Sequence, residues 1–169
     1  MHKTNLSESD ICDKFIRPAM EKAGWNGLDQ IFREYPLRAG RVVVRGSKAY
    51  RDKSTVLRAD YALFYKANIP LAVVEAKDNQ HAVGAGMGQA LKYAQLLDVP
   101  FSFSSNGDGF VFRDATLATG VLEQNLTLEE FPSPQELWHR YCAWKGWTAA
   151  QSRIAGFDYA PNKTPRYYQ

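Results

Sequence analysis

Apolar and polar positions follow two different periods along this chain. Ile11, Phe15, Ile16, Ala19, Met20 and Ala23 recur at helical spacing and run to Gly24, a stop signal. Ser7-x-x-Asp10 ahead of them has the form of a capping box with Asp in place of the usual Glu, and Pro18 inside the pattern predicts a kink or a split. Arg41-Val-Val-Val-Arg45 reads as a strand, and the polar, basic stretch 46–55 after it reads as an exposed, mobile loop. Two apolar runs, Tyr61–Tyr65 and Leu71–Ala76, have the length of strands. The break Lys66-Ala67-Asn68-Ile69 and Pro70 between them is hairpin-sized.

Beyond the hairpin, the glycine-rich stretch 81–88 lacks the Gly-Lys-Ser/Thr ending of a nucleotide-binding loop. It leads into a helix whose apolar stripe is Ala90, Leu91, Ala94 and Leu97. Pro100–Ser105 and Phe110–Phe112 are strands around the turn Asn106-Gly-Asp-Gly109. Ser133-Pro134-Gln135-Glu136 starts a helix, with Ser as cap, Pro at the first helical position and Glu closing the box. That helix carries Leu137, Trp138, Tyr141 and Trp144 toward a core or a neighbouring domain. After Gly146 the pattern dissolves, and 156–165 reads as a linker. The order helix, strand, hairpin, helix, strand, strand, helix describes an α/β domain with one central mixed β-sheet flanked by helices.

The chemistry collects at the open end of the hairpin. Glu75 and Lys77 are two apart on a strand and share a face. With Asn68 and Ile69 as the tip, Asp60 stands opposite Lys77 and diagonal to Glu75; a slip of one residue would flip a face. Two carboxylates and a lysine are suited to a hard divalent cation, which takes oxygen ligands and neutralises charge on a phosphate. The same trio also serves as a pair of salt bridges at a strand end. On the next helix Gln89 and Tyr93 are four apart and lie on one face.

Asp60, then Glu75-Ala76-Lys77 closing the strand AVVEAK, then Gln89-x-x-x-Tyr93 on the following helix resemble the PD-(D/E)XK nuclease superfamily. More closely they resemble the N-terminal nuclease domain of type I restriction enzyme motor (R) subunits, to which SESDICDKFIRPAMEKAGW, SSNGDGFVF and FPSPQELW are similar as well. The resemblance implies a restriction-endonuclease-like core and metal-dependent hydrolysis of DNA phosphodiesters. It implies catalytic roles for Asp60, Glu75 and Lys77, with Mg²⁺ held by Asp60, Glu75 and the Ala76 carbonyl. Gln89 and Tyr93 would support the site or touch the DNA backbone. The acidic residue on the first helix, Glu8, either assists the metal site or answers the helix terminus. The implied partners are double-stranded DNA and the methyltransferase and specificity subunits of a restriction-modification complex. The implied domain plan is a nuclease domain over 1–150, then a linker and the start of a truncated helicase motor over 151–169. ATP would belong to the full-length subunit, because these residues hold no Walker motif.

Composition adds limits. The 169 residues, 45% apolar and 23% charged, suffice for one globular core. No run is long and apolar enough for a membrane helix, and the start lacks a signal peptide's apolar stretch. Cys12 and Cys142 are isolated, which suits reduced thiols in the cytoplasm. The three histidines have no metal-ligand spacing. The net charge of +3 is unevenly spread. Eight basic residues between Arg33 and Arg58, among them Arg41, Arg45, Lys48, Arg51 and Lys53, meet only Glu34 and Asp52. They either form a face for DNA phosphates or are simply solvated. Two other functions remain open at this point: a non-catalytic DNA-binding or assembly module of the same fold, and a helicase-linked repair nuclease.

Overall fold

The structure is a computed structural model that describes residues 6–26, 28–38, 41–45, 47–52, 56–120 and 122–156, with the side chains of 38, 41–45 and 50–52 left out. Its chain order is α1 (Glu8–Ile11), a π-helical turn (Cys12–Ile16), α2 (Arg17–Lys22), β1 (Ile31–Arg38), β2 (Arg41–Arg45), β3 (Lys48–Asp52), β4 (Leu57–Lys66) and β5 (Ile69–Ala76). Then follow α3 (Met87–Leu97), β6 (Phe101–Ser105), β7 (Phe110–Asp114), β8 (Glu123–Leu126), a 3₁₀ turn (Leu128–Glu130), α4 (Pro134–Trp144) and α5 (Ala149–Ala155).

Six strands form one mixed sheet in the order β1-β4-β5-β6-β7-β8. Only β5 and β6 run parallel; the other neighbours are antiparallel. A parallel pair needs a crossover, and α3 supplies it. Side chains alternate along β5, so Val73 and Val74 enter different cores. The larger core lies under α1, α2 and α4: Val74, Tyr61, Leu63, Phe101, Phe103 and Phe112 meet Ile11, Ile16, Met20, Trp25, Leu137 and Trp138. Trp25 Nε1 donates to the Pro132 carbonyl at 2.8 Å and ties the first helices to the start of α4. The smaller core lies under α3, where Val73 meets Tyr93, Ala94 and Val99.

The helix around Pro18 is split as expected, and the π-helical turn is the device. Pro18 has no N–H, and its ring crowds the carbonyl four residues back; the wider register before it relieves both. Ser7 caps α1: its Oγ accepts from the Asp10 N–H at 3.2 Å, and Asp10 Oδ2 accepts from the Ser7 N–H at 3.1 Å. At α4 the Ser133 Oγ accepts from the Glu136 N–H, but the Glu136 carboxylate does not close the box; it pairs with Arg140 at 2.7 Å.

Several expectations are corrected. The stretch 46–55 is not only loop, because β3 pairs with β2 in a separate two-stranded sheet, Arg41 against Asp52 and Arg45 against Lys48. β1 and β8 were not anticipated. β1 contains Pro36, which an edge strand tolerates, and its register with β4 shifts between Pro36 and Arg38. β8 is mostly exposed and polar, so no apolar alternation marks it. The pattern does not dissolve after Gly146: Thr148 caps α5 with Gln151 completing the box, and Ala155 packs on the large core. α5 covers Ala149–Ala155, and 157–169 lie outside the described residues.

Candidate active site

β4 and β5 join through the two-residue turn Ala67–Asn68, with Asn68 at φ 66°, a left-handed conformation that Asn tolerates. The tip is therefore not Asn68–Ile69. Ile69 is already in the ladder opposite Lys66, and Tyr61 pairs with Val74. The register expected from the sequence is displaced by two residues, which keeps every face but brings Asp60 to Glu75 rather than to Lys77. Pro70 sits in β5 ahead of the first β5–β6 pair, Ala72 with Phe101, so its missing N–H breaks no bond to β6.

The two carboxyls grip each other's strands. The Asp60 N–H donates to Glu75 Oε1 at 3.2 Å, and the Ala76 N–H donates to Asp60 Oδ2 at 2.7 Å. Glu75 is 1% exposed in the centre of the sheet. Burial, then the neighbouring Asp60 charge, push its pKa up to about 8. Burial likewise raises that of Asp60, with Glu8 adding to the rise and the Ala76 N–H and Lys77 opposing it.

Lys77 follows β5, and its N–H continues the ladder by donating to the Ser105 carbonyl at 2.8 Å. Its ammonium lies 3.3 Å from Glu8 Oε1, and its charge acts on both Asp60 and Glu75. Glu8 begins α1, so the capped helix start delivers a third acid to the same end of the sheet. Its pairing with Lys77 joins positions 69 residues apart, a relation that no local period encodes.

Gln89 and Tyr93 share a face of α3 as expected, and Gln89 Nε2 donates to the Tyr93 hydroxyl at 3.0 Å. Tyr93 belongs to the smaller core, whereas Gln89 is exposed. Of the basic candidates, Arg41 and Arg45 lie on β2 and Arg51 on β3, Lys48 is exposed, and Lys53 is outside the described residues. The cavity lined by Tyr65, Trp138 and Cys142 lies by the turn end of the hairpin, at the opposite end from the two carboxyls.

Among the described residues no group of three or more His, Cys, Asp or Glu side chains gathers as a metal-ligand set. Two carboxylates remain, and a cation there would complete its shell with a backbone carbonyl, water and a phosphate oxygen, the habit of Mg²⁺. The buried Glu75 and half-buried Asp60, both raised first by burial, also fit a cation, because a positive charge between them favours their ionised forms.

A mixed sheet flanked by helices, with two carboxyls and a lysine at the open end of its central hairpin, defines an α/β domain. No family model matches the chain. It is 52% identical, over 173 aligned residues and all of its own length, to the Type I restriction enzyme EcoAI endonuclease subunit of Escherichia coli. It also superposes on a fragment of an HsdR subunit of a type I restriction enzyme from Vibrio vulnificus, with a TM-score of 0.74 and 38% identity over 86% of this chain. The chain belongs to the endonuclease (R) subunits of type I restriction enzymes. It spans 21% of the E. coli subunit and 27% of the V. vulnificus chain. Among the described residues no helix is long and apolar enough to cross a membrane.

Proposed function

We propose that this domain is the nuclease of its subunit and hydrolyses DNA phosphodiesters in a Mg²⁺-dependent reaction, as a member of the PD-(D/E)XK superfamily. The observation that carries the reading is the mutual grip of Asp60 and Glu75 beside Lys77. It orients two acids and a base-bearing side chain at one end of the sheet before any ligand arrives. Asp60, Glu75 and the Ala76 carbonyl would hold the cation, which when bound supplies a more acidic water and offsets phosphate charge. Asp60 and Glu75 keep their carboxyls aimed through the backbone bonds. Lys77 holds a compact positive charge for a phosphate oxygen and orients the attacking water. Gln89 and Tyr93 act as one hydrogen-bonded pair and offer the exposed Gln89 amide to the DNA backbone.

The partners of this reading are double-stranded DNA and the methyltransferase and specificity subunits of a restriction-modification complex, in the cytoplasm. ATP hydrolysis belongs to other parts of the subunit. The test is nicking of plasmid DNA by the complete complex with Mg²⁺, with a chelator, and with Asp60→Ala, Glu75→Ala or Lys77→Ala. Each variant should lose most cleavage while DNA-dependent ATP hydrolysis persists. Full cleavage by Glu75→Ala ends the reading.

A further inference from the structure

The end of β6 carries three consecutive polar residues, Ser104-Ser105-Asn106, that are 0%, 0% and 4% exposed. A buried polar group is costly unless it is bonded, so three in a row in a sheet must be answered by something. Ser105 answers a local need: its Oγ donates to the Gly109 carbonyl and accepts from the Gly107 N–H, which closes the β6–β7 turn. Ser104 and Asn106 reach elsewhere. Ser104 Oγ donates to the Val83 carbonyl at 2.7 Å and accepts from the Gly86 N–H at 3.0 Å. Asn106 Nδ2 donates to the His81 carbonyl at 2.8 Å. All three bonds end on the segment between Lys77 and α3, which has no regular secondary structure of its own.

That segment is the roof of the site. Ser104 lies beside Glu75 in the parallel β5–β6 register. Gly86 packs so closely above the pair that a Cβ there would stand 3.0 Å from Ser104 Oγ and 3.2 Å from the Glu75 Cβ. The segment starts at Lys77 and ends at the helix that bears Gln89 and Tyr93, so its path sets the spacing between the lysine and that helix.

Resting on the nuclease reading above, we propose that Ser104 and Asn106 are positioning residues for DNA cleavage: they bracket the 78–86 segment from below and hold Lys77, Glu75 and α3 in one arrangement. Neither touches DNA or the reacting atoms; each acts through the segment it holds. Ser104→Ala removes the bond to the Val83 carbonyl and the acceptor for Gly86. Asn106→Asp keeps an acceptor for the Asp108 N–H, which Asn106 Oδ1 now serves, and replaces the donor to His81 with a buried carboxylate oxygen facing its carbonyl. Gly86→Ala lifts the roof by a different route, and Ser104→Ala makes room for the added methyl.

The experiment uses the complete restriction complex. It compares single-turnover plasmid cleavage, DNA-dependent ATP hydrolysis and hydrogen exchange of the 78–86 amides in the wild type and in Lys77→Ala, Ser104→Ala, Asn106→Asp, Gly86→Ala and the Ser104→Ala/Gly86→Ala double variant. Ser104→Ala and Asn106→Asp should each slow cleavage about tenfold, as expected for one lost hydrogen bond. ATP hydrolysis should be retained and 78–86 should exchange faster. The double variant should cleave faster than the product of the single losses predicts. Faster exchange with full cleavage overturns the proposal, as does unchanged exchange and cleavage. If Ser104→Ala also loses ATP hydrolysis, Asn106→Asp decides by the same two readouts. Full cleavage by Lys77→Ala would instead overturn the nuclease reading beneath it.

Discussion

Asp60 and Glu75 hold each other through the main chain. Each carboxylate accepts a backbone N–H from the opposite strand, from Asp60 itself at 3.2 Å and from Ala76, next to Glu75, at 2.7 Å. Two acids, Glu75 buried and Asp60 half-buried, are thereby fixed side by side where the ionised forms are disfavoured. With both carboxyls ionised the arrangement is strained, by burial first and by the neighbouring charge second.

The first prediction follows from that strain. Glu75 has an ordinary pKa of 4.5, and the fold raises it to about 8. Between these values the folded state holds a proton that the unfolded state has released, so stability of the metal-free protein falls as pH rises through the window. Below about 4.5 both states are protonated and the penalty is absent; above about 8 it is fully present. Urea unfolding across pH 5–9 should therefore show declining stability, and Glu75→Gln should flatten the decline. Binding of Mn²⁺ or Mg²⁺ should strengthen over the same window, because the proton must leave. A stability that rises from pH 5 to 8 with no difference in Glu75→Gln would refute this account of the pair.

Glu8 supplies a second prediction. Its bridge to Lys77 is partly exposed, with the two side chains at 47% and 21%. Exposed pairs contribute little, so Glu8→Gln should cost less than about 1 kcal/mol of stability. Cleavage should nonetheless fall, by less than in Lys77→Ala, because the lysine loses a partner that limits its positions. Single-turnover rates of the two variants give the comparison. A loss as complete as that of Lys77→Ala would make Glu8 a member of the reacting set.

The Gln89–Tyr93 bond makes a third. If the pair works as a unit, Gln89→Ala and Tyr93→Phe should each lower cleavage about 10- to 100-fold, the range of one bond to a neutral or charged partner. The double variant should be no worse than the poorer single, and metal affinity should not change. Additive losses, or silence in both variants, would separate the two residues.

The fourth concerns the β2–β3 hairpin, whose backbone brings Arg41, Arg45, Lys48 and Arg51 onto one two-stranded ribbon. Neutralising two or three of them should weaken DNA binding and flatten its salt dependence by about one unit of log–log slope per lost phosphate contact. Titrations of DNA binding at several salt concentrations measure that slope, and an unchanged slope assigns the ribbon to solvent.

Local rules were enough for much of this protein. Periodicity marked the first helix, α3 and α4, with caps at the first and the last; continuous apolar runs of strand length marked β4 and β5, and with them the stretch that carries Asp60, Glu75 and Lys77. Other features depended on partners distant in the chain. The hairpin register turned on whether Asn68 took a left-handed conformation at the second turn position, a two-residue choice that sequence spacing left open. β1, with its Pro36, and the polar β8 became strands because edges of an existing sheet offered them hydrogen bonds. Lys77 met Glu8, and Ser104 and Asn106 met the 78–86 segment, only once β5 and β6 were paired in parallel. The physical reason is range: helix periods and turn preferences act over a few residues, whereas the burial and crowding of Glu75 arise where separate strands and a loop close over one another.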